Sequence, residues 1–164
     1  MKKSFQNEKK NRKNESIFFL SFIPPSKANR VKINTKIFSK SGKRYIVPKD
    51  VSLKINKAIW ELQKQNEKKN LFYKEAVSVE IFFILPNKRR RDLDNIMKTL
   101  GDCLVYAGIL EDDNLIFKQT LEKFIIKGRE GVVIKIKNYQ ERKLDKKLLE
   151  KLEKYKGFID GDKL

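Results

Sequence analysis

The chain has 164 residues, 40% of them hydrophobic and spread along its length, which is enough for one domain with a real core and excludes disorder of the middle by composition. Lys and Arg outnumber Asp and Glu by 39 to 21, and the net charge of +18 points to a polyanionic partner, nucleic acid first, because cations gain affinity by displacing counterions from phosphate. Histidine is absent and Cys103 is the lone cysteine, which excludes Ser-His-Asp triads, His-ligated zinc and an intrachain disulfide.

Residues 1–15 are rich in Lys and Asn and lack the apolar stretch of a secretory signal, so they are expected to form a disordered basic arm. Ile17 to Ile23 is an apolar run of strand length stopped by Pro24 and Pro25. Val31 to Val47, with Ser41-Gly42 at its middle, reads as a β-hairpin or an ordered loop with two extended arms. Val51, Ile55, Ala58, Ile59 and Leu62 recur at helical spacing and predict an amphipathic helix over 50–68. Val77, Val79, Ile81, Phe83 and Leu85 then alternate as a core strand does, while Phe82 and Ile84 suggest that a helix covers the other face too.

Pro86 ends that strand, so the basic cluster Lys88, Arg89, Arg90 and Arg91 lies in the loop leading out of it. A helix over about 94–107 follows. Met97, Leu100, Cys103, Leu104 and Ala107 share one face, and Asp94, Lys98 and Asp102 fall about 40° apart on the opposite one. Gly108 ends the helix. Leu115 to Ile126 and Gly131 to Lys137 read as two strands paired through the turn at 128–131. From Glu141 on, Leu144, Leu148, Leu152 and Tyr155 mark a charged terminal helix with a narrow apolar stripe. Strands and helices interleave without regular βαβ repetition, so the expected fold is α+β: a two-layer sandwich of a mixed sheet with helices on one face. No apolar run approaches the ~18 residues of a membrane span, and the single cysteine fits a reducing cytoplasm.

The chemistry concentrates in residues 86–117. Asp92 and Asp94 stand two apart at a strand-to-helix junction, and in an extended segment such residues point the same way. Asp113 would have to return to them from the start of the following strand. Carboxylates converging from different elements can hold a pair of hard cations ~3.5–4 Å apart, which activates a water for in-line attack on phosphate without histidine. With no imidazole and one thiol, the ligand set suits Mg²⁺ or Mn²⁺. Lys98 would donate to phosphoryl oxygens as charge builds, and the arginines would grip the flanking backbone.

Each piece also has a plain structural reading. Asp92 or Asp94 can be helix N-caps, Asp94–Lys98 an ordinary i,i+4 pair, and Asp112-Asp113-Asn114 a turn. A basic DNA-binding protein with an inactive acidic cluster therefore stays open, as does the D-x-D metal site of a nucleotide-sugar transferase.

The ordered set narrows this. The run from Arg89 through Asn95 (RRRDLDN), Lys98, Asp102, Ala107-Gly108 and Asp112-Asp113, with Pro86 before it and the Pro24-Pro25-Ser26 turn after the first strand, closely resembles the RusA family of Holliday junction resolvases. The resemblance covers roughly residues 17–138 and is strongest over 86–116. It implies a Mg²⁺-dependent crossover junction endodeoxyribonuclease of bacteria and their phages, acting in the cytoplasm as a homodimer that cuts four-way DNA junctions by paired symmetrical nicks in recombination and repair. Carried over by position, Asp92, Asp94 and Asp113 are the metal ligands and Lys98 the catalytic lysine, while Asp102 and Asp112 match neighbouring positions without a settled role. The implied domain is 16–138, with 139–164 as a charged helical extension.

Overall fold

In the computed structural model the described residues are 15–27, 32–33, 45–88, 91–141, 143 and 145–161. The basic arm expected at the N-terminus lies almost wholly outside them. Of the segment 31–47, the described part is one antiparallel pair, β2 (Lys32–Ile33) with β3 (Tyr45–Ile46). The other strands are β1 (Glu15–Leu20), β4 (Val77–Leu85), β5 (Ile116–Ile125) and β6 (Gly131–Asn138), and the helices are α1 (Lys49–Lys69), α2 (Leu93–Tyr106) and α3 (Lys146–Gly161).

β1, β6, β4 and β5 make a mixed four-stranded sheet in that order, antiparallel except for the parallel pair β4–β5. This corrects the sequence expectation that β5 and β6 form a hairpin. They do not touch as neighbours, because β4 lies between them. The connection 126–130 instead crosses the end of β4, where Ile126 N–H donates to Leu85 C=O at 2.9 Å. The physical reason lies in β4, which is apolar along its core face and carries Phe82 and Ile84 on the other, and whose two backbone edges both need partners.

One face of the sheet carries the core. Phe18 and Leu20 of β1, Val77, Val79, Ile81 and Phe83 of β4, and Val132, Ile134 and Ile136 of β6 are buried there. Ala58 and Leu62 of α1 close over them with Met97, Leu100, Cys103 and Leu104 of α2, as their helical spacing foretold, and Ile96 joins them. On the other face Phe82 and Ile84 are half-buried by strand neighbours, Phe82 with the Phe124 ring centroid 5.9 Å away and the Lys135 ammonium 5.4 Å from its own. The cover expected there is not a helix: residues 146–156 of α3 are exposed. No described helix is long and apolar enough to cross a membrane.

α1 also finishes the edge of the sheet. The Gln65 side-chain amide donates to Phe19 C=O at 2.7 Å and accepts from Phe19 N–H at 2.9 Å, while Glu61 accepts from Ser21 N–H and Oγ at 2.9 and 2.6 Å. These bonds fix the chain as it leaves β1 toward the two prolines.

Candidate active site

α2 is the platform of the site, and Asp92 starts it. With φ −86° and ψ 111°, Asp92 stands outside the helix and accepts from Asp94 N–H at 3.2 Å and from Asn95 Nδ2 at 2.6 Å. Both its oxygens are thus engaged by the first turn, as a capping carboxylate's should be. Asp94 and Lys98 are exposed one turn apart, and Lys98 has no ion-pair partner among the described residues.

The return of Asp113 to this helix is built step by step. Gly108, at φ +67°, turns the chain back at the end of α2. Ile109 and Leu110 then plug into the core, and the backbone of 109–111 locks onto Tyr73 through Tyr73 N–H to Ile109 C=O at 2.9 Å and Glu111 N–H to Tyr73 C=O at 3.0 Å. Asp112 caps the short 3-10 turn Asp113–Leu115 by accepting from Asn114 N–H at 2.8 Å. Asp113 is left facing α2 at Gly101. A Cβ on Gly101 would stand at ordinary contact distance, 3.4 Å from Asp113 Cβ and 3.6 Å from its Oδ2, so this carboxylate seats directly against the helix at Gly101.

The helical geometry then fixes the layout. Asp94, Lys98 and Gly101 fall within a strip about 60° wide, with Asp94 and Gly101 about two turns apart and Lys98 between them. The fold therefore brings Asp94, Lys98 and Asp113 to one surface. Among the described residues no three acidic side chains are gathered closely enough to cage one ion. The donor chemistry still fits a hard cation, because Mg²⁺ takes only one or two carboxylates and completes its shell with water and substrate phosphate.

The opposite flank of the strip is the turn after β1. Pro24 is buried, Lys27 N–H donates to Thr99 Oγ1 at 3.0 Å, and Lys27 Nζ stands 3.6 Å from Asp102 Oδ2. Asp102 is thus paired with a lysine rather than turned toward Asp94. Beneath it Cys103 is buried in the core. Desolvation by burial, with a smaller contribution from the Asp102 charge, pushes its thiol up to about 12 against a slight opposing pull from Lys27.

Of the basic cluster, Lys88 is exposed and Arg91 is engaged: its guanidinium is 3.2 Å from Glu130 Oε1, and its C=O accepts from Lys123 Nζ at 2.9 Å. The loop is thereby tied to the connection that crosses β4. Arg89 and Arg90 lie outside the described residues. Sequence reasoning overlooked Lys27, Gly101 and Glu130. Gly101 left a signal, a small residue in mid-helix facing the polar side, whereas Glu130 left none that distinguishes it from a solvated charge.

A family model described as Endodeoxyribonuclease RusA matches residues 23–137. The crossover junction endodeoxyribonuclease RusA of Aquifex aeolicus (strain VF5) is 42% identical over 122 residues, covering 74% of this chain and 90% of that protein. The enzyme of the same name from Enterobacteria phage HK97 is 36% identical over 100 residues, covering 61% of this chain and 75% of that protein. The matched stretch runs from the Pro24-Pro25 turn through α2 and the acidic turn nearly to the end of β6, and the chain belongs to the RusA family of endodeoxyribonucleases.

Proposed function

We propose that this protein is a Mg²⁺-dependent endonuclease that resolves four-way DNA junctions by paired symmetrical nicks, with 16–138 as the catalytic unit. The observation that carries the reading is the seating of Asp113 against α2, on the strip that also bears Asp94 and Lys98. The two relatives, crossover junction endodeoxyribonucleases of a bacterium and a phage, support the same substrate class.

Asp92, Asp94 and Asp113 would hold Mg²⁺ (or Mn²⁺), which supplies an activated water and charge neutralisation at the leaving oxygen. Lys98, free of a competing carboxylate among the described residues, donates to the phosphoryl oxygen as charge develops. Lys88 and the arginines 89–91 hold the flanking backbone, with Arg91 exchanging Glu130 for phosphate as it does so. A homodimer suits the task, since a two-fold axis sets two such sites on opposed strands of the branch. Branched DNA and a second copy of the chain are the partners in this reading, and its setting is the cytoplasm of a bacterial or phage-infected cell.

Asp94→Asn is expected to lower cleavage of a labelled synthetic junction by at least about 100-fold while junction binding stays within about threefold. Lys98→Ala should lower cleavage with the same separation from binding. Cleavage by Asp94→Asn at the wild-type rate would remove the site from α2.

A second reading has one observation in its favour. Both Asp92 oxygens are spent on the helix cap, as in a DNA-binding protein whose acidic residues are structural. Such a protein shifts the junction with Mg²⁺ present and leaves both strands whole, so a denaturing gel beside the mobility shift separates the two.

A further inference from the structure

We propose that Lys27 is a DNA-phosphate contact of this protein, aimed for that purpose by Thr99 and Asp102 of α2. The proposal rests on the nuclease reading above and adds to it a second lysine on the flank opposite Asp113.

The backbone of the turn is fixed without help from the Lys27 side chain. Ile23 and Pro24 are buried, Glu61 holds Ser21, and the Lys27 N–H is received by Thr99, which is 2% exposed. The side chain then reaches to 3.6 Å from Asp102, with Lys27 50% and Asp102 41% exposed. A pair so open to water contributes little to folding, since screening and lost rotamer freedom offset most of the attraction. Its effect is directional. A lysine that would otherwise sweep through solvent is held along the polar side of α2.

That side already carries Lys98, and Asp102 lies one turn beyond it, about 40° around the helix. Lys27 therefore enters from the turn and Lys98 from the helix onto the same strip, with Asp113 along its other margin. Two lysines brought to one strip suit, by their charge, a phosphodiester strand lying across α2. Asp102 is then a positioning residue that acts through Lys27. This accounts for a carboxylate on the strip that does not turn toward Asp94.

The test is junction binding by fluorescence anisotropy in EDTA, over a KCl series, with purified full-length protein. Lys27→Ala should weaken binding roughly three- to tenfold and lower the slope of log affinity against log salt by about one per phosphate that Lys27 neutralises. Lys27→Arg should restore most of both. Asp102→Asn should show part of the loss, and the double variant should be no worse than Lys27→Ala alone, because the two act through one phosphate. Thermal unfolding of Lys27→Ala should match the parent. A wild-type affinity and salt slope for Lys27→Ala, or a loss on Asp102→Asn that adds in full to it, would overturn the proposal. So would a melting temperature for Lys27→Ala several degrees below the parent. Wild-type protein that binds the junction but never nicks it in Mg²⁺ sinks the nuclease reading instead, and leaves this measurement standing.

Discussion

Cys103 lies beneath the candidate site with its thiol buried in the core. Burial raises its thiol from the usual 9.0 to about 12, so the folded protein keeps a proton that the unfolded chain releases. The sign follows: this contribution to stability is whole below pH 9 and is lost as pH climbs toward 12. Iodoacetamide at about pH 8 should leave native Cys103 unmodified and label it fully in guanidinium; rapid native labelling would place the thiol at the surface. Gly101 governs a different property. Its absent Cβ would meet Asp113 at ordinary contact distance, 3.4 and 3.6 Å, so Gly101→Ala should fold normally and gain up to about 1 kcal/mol of helix propensity. Gly101→Val adds two methyls where Asp113 sits and should cost junction cleavage with the melting curve little changed, read by the nicking assay beside calorimetry. At this scale residue types were legible in the sequence and pairings were not. Asp94, Lys98 and Asp113 stood out as candidates because a +18 chain has little electrostatic reason to cluster carboxylates. The seating of Asp113 and the Lys27–Asp102 pair depend on backbone returns that no spacing encodes.

Among the elements, periodicity found α1, β4 and α2 nearly to the residue, because each has one buried face and a clear stop: Pro48 before α1, Pro86 after β4, Gly108 after α2. The pairing of β5 with β6 failed for a definite reason. A short polar turn between two strands looks the same whether they are neighbours or flank a third. β4, with a wholly apolar core face and Phe82 and Ile84 on the other, held the better clue to the strand order. Gly131 opens β6 beside β1, and a Cβ there would lie 2.9 Å from Leu20 C=O, a backbone atom that cannot swing aside. Gly131→Ala should therefore destabilise the protein by about 1–3 kcal/mol, measured as a lower urea midpoint at unchanged slope. Wild-type stability would show that the two strands separate there at no cost.

For the whole molecule, the family match ends at residue 137 and α3 begins at Lys146, so the terminal helix stands apart from the matched region in sequence as well as in packing. Leu148, Leu149, Leu152 and Tyr155 are 42–62% exposed, and the narrow stripe read from the sequence has found nothing to cover it among the described residues. Removing residues 145–164 should shift the melting temperature of the remainder by less than about 2 °C; a larger drop would mean that α3 packs on the sheet in solution. Composition made the partner class and the α+β architecture legible, since charge and alternation are properties of the chain itself.

The Gln65 amide answers the N–H and C=O of Phe19 much as a flanking strand would. A foreign β-segment arriving beside β1 meets polar groups already spoken for at Phe19. β5, at the far side, has no strand beside its outer row among the described residues, and its Lys118 and Lys123 are exposed, Lys123 donating to Arg91 C=O. Of the two sheet edges among the described residues, β5 is thus the more open to unwanted strand addition, and its exposed lysines discourage it.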